Sequence, residues 1–258
     1  MPSRDENLHF WNTLYAWSEG GEEWSVPWGG SSLQWAATIL PRISRFLPCA
    51  HLLEIAPGYG RWTHYLLDHC RSYTGVELSD SCVVLLKERF RDRAQAQFSV
   101  NDGASLPMVA DESVDFCFSF ESLVHAEADV MQAYLGELRR VLKPDGSAFL
   151  HHSNLADQQD YFRRTARLPD WLRSRLNRVG LVDLDQWRAP TMSAECFRRL
   201  AEEADLYCAT QETLNWGGRR MIDCFSVITR QPSRHRLLAN PNFLQEVLGW
   251  AALAPLYA

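Results

Sequence analysis

The chain has 258 residues, 46% of them hydrophobic and 22% charged, with a formal net charge of −6. That is enough apolar material for one large domain, or for one domain with an appended cap, and it excludes a disordered chain. The negative balance argues against a general nucleic-acid binder, and no apolar run approaches the ~20 residues that span a bilayer. The opening from Met1 to Asn7 is polar and acidic, unlike a signal peptide. Seven scattered cysteines without a CxxC pair read as buried free thiols, and the expected location is cytoplasmic.

Residues 1–48 form an aromatic-rich lead carrying Phe10, Trp11, Tyr15, Trp17, Trp24, Trp28 and Trp35. Within it, Ser31 or Ser32 can cap a helix with Leu33, Ala36, Ala37, Leu40, Ile43 and Leu47 at helical spacing, kinked at Pro41 and ended by Pro48. The apolar run 52–56 predicts a first strand. The turn Pro57-Gly58-Tyr59-Gly60 then opens a helix through Trp62, Tyr65, Leu66 and Leu67. A second strand is expected over 72–77, a helix around Cys82 to Leu86, and a third strand over 96–100. A fourth strand over 114–120 leads to a helix through Ala133, Leu135, Leu138, Val141 and Leu142. Pro144-Asp145-Gly146 then turns into a fifth strand over 147–150.

Residues 155–192 break the rhythm with seven arginines, five aspartates and the aromatics Tyr161, Trp171 and Trp187. Because they follow a central strand end, where open α/β sheets bind ligands, they are expected to form a lid. The alternative is a solvated helical insertion. Two late strand-like runs, 207–216 and 222–229, are expected to form a hairpin through a tight Gly217-Gly218-Arg219-Arg220 turn. The expectation is an α/β fold with a doubly wound, mostly parallel seven-stranded sheet, helices on both faces and an antiparallel edge strand. Its divisions are an N-terminal helical cover over 1–48, a main domain over 49–232 holding the 155–192 lid, and a C-terminal tail over 233–258.

Three features fall at the carboxyl ends of successive predicted strands. Glu54-Ile55-Ala56-Pro57-Gly58-Tyr59-Gly60 joins a strand to a helix start, and its glycines let backbone approach a ligand. Glu77 ends the second strand, where a carboxylate can accept both hydroxyls of an adenosine ribose. Asn101-Asp102-Gly103-Ala104 follows the third strand, where Asp102 can accept from an adenine amino group and Gly103 or Ala104 can add a backbone contact.

In this order and spacing the three features resemble the class I S-adenosylmethionine-dependent methyltransferases, over roughly residues 50–155. The run from Leu138 to Gly146 is similar to that family's turn before its fifth strand. The resemblance implies a Rossmann-like domain, S-adenosylmethionine as cofactor and S-adenosylhomocysteine as product. It assigns the cofactor to Glu54, Ala56, Gly58, Gly60, Glu77, Leu78, Asp102, Gly103, Ala104 and Phe120. The sequence departs from the family at Ala56, where glycine is usual, and at Pro57. A nicotinamide-binding enzyme would want a third glycine near Thr63 or His64 and a first strand near the N-terminus, and both are absent.

Methyl transfer to a hydroxyl needs a base, and His125 is the leading candidate because its segment leaves the fourth strand. Its imidazole would titrate near ~6.5 if unperturbed. Glu121, at i−4, would share a helical face with it. His151 and His152 leave the fifth strand and are the next candidates; any of these histidines could instead be structural. Glu121, His125 and His151 or His152 could hold a divalent metal, but no HxxxH-type spacing supports one, and no metal site is assigned. Tyr15, Trp28, Trp171 and Trp216 are expected against the substrate, where aromatic rings stack on a sugar or ring. The expected acceptor is a small molecule or oligosaccharide, first of all a sugar hydroxyl, as in the bacterial sugar O-methyltransferases of methylmannose-polysaccharide type that the lead and the closing strands resemble. N-methylation in antibiotic or other secondary-metabolite biosynthesis is the alternative. Neither nucleic acid nor a membrane is expected as a partner, and a homo-oligomer is allowed for.

Overall fold

A computed structural model describes residues 19–256 together with Leu8, His9, Asn12, Thr13, Tyr15 and Trp17. Phe10 and Trp11 of the aromatic lead lie outside the described residues. Eight strands form one sheet: β1 (Cys49–Ile55), β2 (Cys70–Glu77), β3 (Ala96–Val100), β4 (Val114–Ser119), β5 (Leu142–Ser153), β6 (Tyr207–Leu214), β7 (Asp223–Thr229) and β8 (Arg236–Asn240). Their order is β3-β2-β1-β4-β5-β7-β6-β8. The chain winds outward from β1 to β3, returns, and winds the other way from β4. The switch point therefore lies between β1 and β4, where the strand ends open a crevice.

The sheet has eight strands rather than the expected seven. Its antiparallel strand is not at the edge: β7 runs antiparallel between β5 and β6, and β8 adds parallel to β6 outside them. The expected C-terminal tail thus supplies the edge strand and helix α7 (Phe243–Leu253), which buries Phe243 and Val247. The β6–β7 connection is also not a tight turn. It spans residues 215–222, because Asn215 turns inward to donate to Gly218 O and to accept from Leu244 N–H. β5 begins at Leu142, earlier than expected, with the Pro144-Asp145-Gly146 segment lying within the strand and a register shift against β4.

Helices α1 (Thr63–Leu66), α2 (Asp80–Arg89), α3 (Ala128–Val141) and α6 (Ala194–Glu203) cover the two faces. α2 and α6 are capped by the Ser79 and Ser193 hydroxyls, which accept the N–H groups of Cys82 and Cys196. One face packs Met131, Tyr134, Leu135 and Leu138 of α3 and Phe197 and Leu200 of α6 on the sheet. The other packs Trp28, Trp35, Ile39, Ile43 and Leu66 on Phe116, Phe118 and Phe149. The period-2 alternation of β5 divides its residues between these faces, Phe149 to one and Leu150 to the other.

The cover helix forms, but not as a regular α-helix. Residues 31–46 run through α, π and 3-10 turns, with a π turn over 35–39 just before Pro41. Proline has no N–H to close an α-helical bond, and the widened turn accommodates it. Within 155–192, α4 (Gln159–Thr165) and α5 (Asp170–Arg178) bury no residue.

Candidate active site

A cavity of about 790 Å³ opens at the carboxyl ends of β1, β2, β3 and β4. The loop after β1 supplies its floor. Ala56 adopts a left-handed backbone with φ 57°, fixed by its N–H donating to Val76 O and its own carbonyl accepting from Ser122 Oγ. The family's usual glycine would fit that conformation without strain; alanine is held there by these two bonds. Gly58 also has φ 57°, and a Cβ on it would stand 3.0 Å from the Trp17 ring. Gly60 serves the core instead of the cavity: a Cβ there would meet Phe90 at 2.5 Å.

Glu77 ends β2 inside the cavity. Its Oε2 accepts from Gly58 N–H at 2.8 Å, and its Oε1 accepts from the N–H groups of Leu78 and Ser79 at 2.7 and 3.1 Å. Burial raises its pKa, while those three donors pull it back. Leu78, Asn101 and Gly103 line the neighbouring wall. Asp102 itself is not part of the lining. Its Oδ1 caps the N–H groups of Ala104 and Ser105, and Ala104 also stays outside. Glu54 is likewise not a lining residue. It is 2% exposed beneath the loop, accepts from Thr63 and Tyr73, and burial pushes its carboxyl up to about 7 against those hydrogen bonds. The cradle fits an adenosyl ligand: a carboxylate with acceptor capacity left, a left-handed glycine turn with no room for a side chain, and an apolar wall.

Beyond the loop the cavity is walled by Trp24, Trp28, Trp62, Phe120, Trp187 and Trp216. Trp28 and Trp216 pack with ring centroids 5.0 Å apart, and Trp216 lies 5.9 Å from Phe120. Tyr15 is one layer removed: its hydroxyl donates to Glu23, and its ring packs on Trp17 and Trp24. Trp171 is 68% exposed on α5 and does not line the cavity. Of the 155–192 segment only Gln186, Trp187 and Arg188 do. Gln186 and Trp187 both take left-handed backbone, with φ 50° and 59°, and Arg188 anchors them by two 2.8 Å bonds to Asp223.

The four candidate catalytic residues separate. His125 lines the cavity, and its Nδ1 is 2.8 Å from Trp187 O. A carbonyl only accepts, so Nδ1 carries the proton and Nε2 presents a lone pair. Burial, then the Arg188 charge, lowers its pKa to about 4. Glu121 also lines the cavity but does not share a helical face with His125. It has φ 64° ahead of a 3-10 turn, and its carboxylate pairs with Arg61. His151 lies behind Phe120 and Trp216, fully buried. His152 points to the opposite face of the sheet, as adjacent strand residues must. It stacks on Phe197 at 4.2 Å and bonds Ser226 Oγ, so it cannot reach the cavity.

Sequence reasoning missed Arg61, Trp62, Asn101 and Glu23 in the lining, and the buried Asp223 behind Arg188. Asp223 had a readable signal: a carboxylate opening the apolar run 223–229 that the sheet buries. Against burial, which raises it, Arg188 and His151 hold its carboxyl far below the usual range. Among the described residues, no three His, Cys, Asp or Glu side chains stand where they could hold a metal ion, and no helix is long and apolar enough to cross a membrane.

A doubly wound sheet with a glycine turn, a buried carboxylate and an aromatic chamber at its switch point is the place where open α/β folds bind nucleotide-type ligands. Residues 53–150 match the family model described as a methyltransferase domain, an activity for which S-adenosylmethionine is the cofactor. Among solved structures it is similar to the PH0226 protein of Pyrococcus horikoshii, with a TM-score of 0.58 and 16% identity, over 90% of this chain and 100% of that one. It is similar to a putative sarcosine dimethylglycine methyltransferase of Galdieria sulphuraria, with a TM-score of 0.54 and 15% identity, over 79% and 86%. A methyltransferase from Methanosarcina mazei gives 0.54 and 17%, over 77% and 98%. These likenesses concern the fold. No curated protein matches the chain.

Proposed function

We propose that the protein methylates a hydroxyl of a small polar acceptor, of sugar type, held between the N-terminal tryptophans and the 186–188 segment. The observation that carries this reading is His125, a cavity-lining neutral imidazole whose ring is oriented by Trp187 O and whose Nε2 keeps its lone pair. A base oriented by a third group is the arrangement that proton abstraction requires. Flat walls at Trp24, Trp28, Trp187 and Trp216 suit the C–H faces of a sugar ring, and Glu23 and Gln186 add polar contacts.

The bound cofactor supplies an electrophilic methyl group on a sulfonium. Glu77 holds the ribose, and Leu78, Asn101 and Gly103 take the adenine side. The tryptophans exclude water, and Glu121 and Arg61 close the wall as a pair. Most of the rate then comes from alignment of the acceptor oxygen, with His125 receiving its proton. An oligosaccharide end enters through the open side of the cavity; the lining carboxylates Glu23, Glu127 and Asp129 oppose a nucleic acid.

A second reading, N-methylation, has its own support. Those carboxylates beside indole faces suit the ammonium that forms as a neutral amine takes the methyl group, and a base with pKa about 4 is weak for a hydroxyl but unneeded for a neutral amine. The test incubates the enzyme and labelled S-adenosylmethionine with methyl glycosides and with primary and secondary amines. Label in a glycoside ether, with His125→Ala lowering kcat roughly 10²–10⁴-fold, is expected. Label only in amines, with a modest loss in the variant, overturns the hydroxyl reading.

A further inference from the structure

Three buried polar groups sit behind the acceptor half of the cavity. Asp223 and His151 are fully buried, and Arg188 nearly so. Arg188 Nε and Nη2 donate to the two Asp223 oxygens. Nε2 of His151 lies 3.2 Å from Asp223 Oδ2. On the other side of the ring, Nδ1 stands 3.2 Å from the backbone nitrogen of Glu121. That N–H can only donate, so Nδ1 carries no proton, and the ring's single proton sits on Nε2, 3.2 Å from the carboxylate but without the alignment of a hydrogen bond. Phe120, Trp216 and Phe225 clamp the ring at centroid distances of 5.0, 4.9 and 4.8 Å.

Glu121 is the residue on which this arrangement acts. Its left-handed φ of 64° is costly for a residue with a side chain and persists only where the surroundings impose it. Its carboxylate pairs with Arg61, Arg61 Nη1 donates to Ser25 Oγ at 3.0 Å, and Ser25 Oγ donates to Gln34 Oε1 at 2.7 Å. One polar chain therefore runs from β7, through β5 and the loop after β4, to the N-terminal cover, passing through the cavity wall.

We propose that His151 is a positioning residue: as a neutral Nε2–H tautomer facing Asp223, it holds the Glu121 N–H and so keeps the Glu121 carboxylate turned to Arg61 in the wall of the acceptor pocket. His151 does not line the cavity and takes no part in the chemistry. Without the Nδ1 acceptor, the Glu121 peptide relaxes toward ordinary backbone and carries its carboxylate off Arg61. The inference rests on the acceptor reading only for what that wall faces.

Asparagine and glutamine divide the two contacts of the imidazole. The Oδ1 of asparagine falls near the place of Nδ1, and the Nε2 of glutamine near that of the ring Nε2. His151→Asn therefore keeps the acceptor for Glu121 and gives up Asp223, and His151→Gln does the reverse. Hydrogen exchange is measured on the full chain, resolving the Glu121 amide. Exchange there is expected to stay within about threefold of the parent in His151→Asn and to rise roughly 10²-fold in His151→Gln and His151→Ala, while β4 and β5 amides keep their protection. The imidazole ¹⁵N spectrum of the parent is expected to show His151 protonated at Nε2 only. Equal loss in the Asn and Ala variants, protection retained in the Gln variant, uniform loss across the sheet, or a proton on Nδ1 would each overturn the proposal. No cofactor or acceptor enters the readout, so a failed methyl-transfer assay leaves it standing.

Discussion

Glu77 offers the sharpest perturbation of the cofactor cradle. A carboxylate has about four lone-pair positions, and three are occupied by the N–H groups of Gly58, Leu78 and Ser79. Both positions on Oε1 are taken and one on Oε2 remains. A ribose therefore gains one full charge-assisted hydrogen bond at Oε2, its second hydroxyl sharing Oε1. One such bond contributes about 1.5–3 kcal/mol, so Glu77→Ala should weaken S-adenosylhomocysteine binding roughly 10- to 150-fold, with any loosening of Gly58 adding to this. Glutamine should not rescue the loss. Whichever way its amide turns, the NH₂ group faces either Gly58 N–H or the Leu78 and Ser79 pair, donor against donor. Titration calorimetry with S-adenosylhomocysteine reads the dissociation constant, and circular dichroism checks the fold. A natively folded Glu77→Ala protein that binds within threefold of the parent would refute the reasoning. So would full rescue by Glu77→Gln.

Other consequences are open to direct measurement. His125 has its pKa lowered to about 4 by burial and Arg188, so it stays neutral across pH 6–8; kcat with a hydroxyl acceptor should be level there and fall only in acid, and a rise centred near ~6.5 would contradict the buried environment. His152, fully buried and also lowered to about 4, protonates more readily unfolded than folded. Stability is therefore whole above about pH 6.5 and declines as pH falls toward 4, by about 3 kcal/mol from this group; urea unfolding at pH 7 and 4.5 reads it, and an unchanged slope in His152→Gln would refute it. Trp187→Ala should raise the KM of the acceptor with little effect on cofactor affinity, whereas Trp171→Ala, on an exposed helix, should change neither; equal effects would restore the whole 155–192 segment as a lid.

The β–α order, β1, β4 and the glycine turn were legible because parallel strands buried on both faces are short apolar runs ended by turn residues. Glu77 was legible for the same reason, since a carboxylate at a strand end stands out against such a run. Asp102 and Glu54 misled because sequence position fixes a residue's place on the chain, not the direction of its side chain. Asp102 caps its own turn, and Glu54 folds under the loop to Tyr73 and Thr63. His152 was a failure of parity: next to His151 in sequence, it faces the other side of the sheet. β8 escaped because Leu237 and Leu238 lie on an exposed edge, and no inward-facing period marks them as a strand.

The two halves of the cavity differ in how the chain builds them. The half proposed for the cofactor comes from β1 to β4 and the loops between them, consecutive elements whose geometry the parallel sheet imposes. The half proposed for the acceptor draws on parts far apart in sequence: Trp24 and Trp28 from the cover, His125 from the loop after β4, Trp187 and Arg188 from the insertion, and Trp216 from the β6–β7 connection. What joins these parts is polar, and buried at Arg188–Asp223 and Arg61–Ser25. Arg188 ties the insertion to β7 through Asp223, Gln186 ties it to Trp216 O, His125 ties it to the loop after β4, and Arg61 ties that loop to the cover through Ser25. Breaking one partner of such a pair leaves a buried group unsatisfied, which costs more than an exposed pair would contribute. Exposed residues of α4 and α5 carry no such tie. Changes of acceptor are therefore expected to track substitutions at these joints and in the tryptophan walls, and to spare both the β1–β2 cradle and the outer insertion helices.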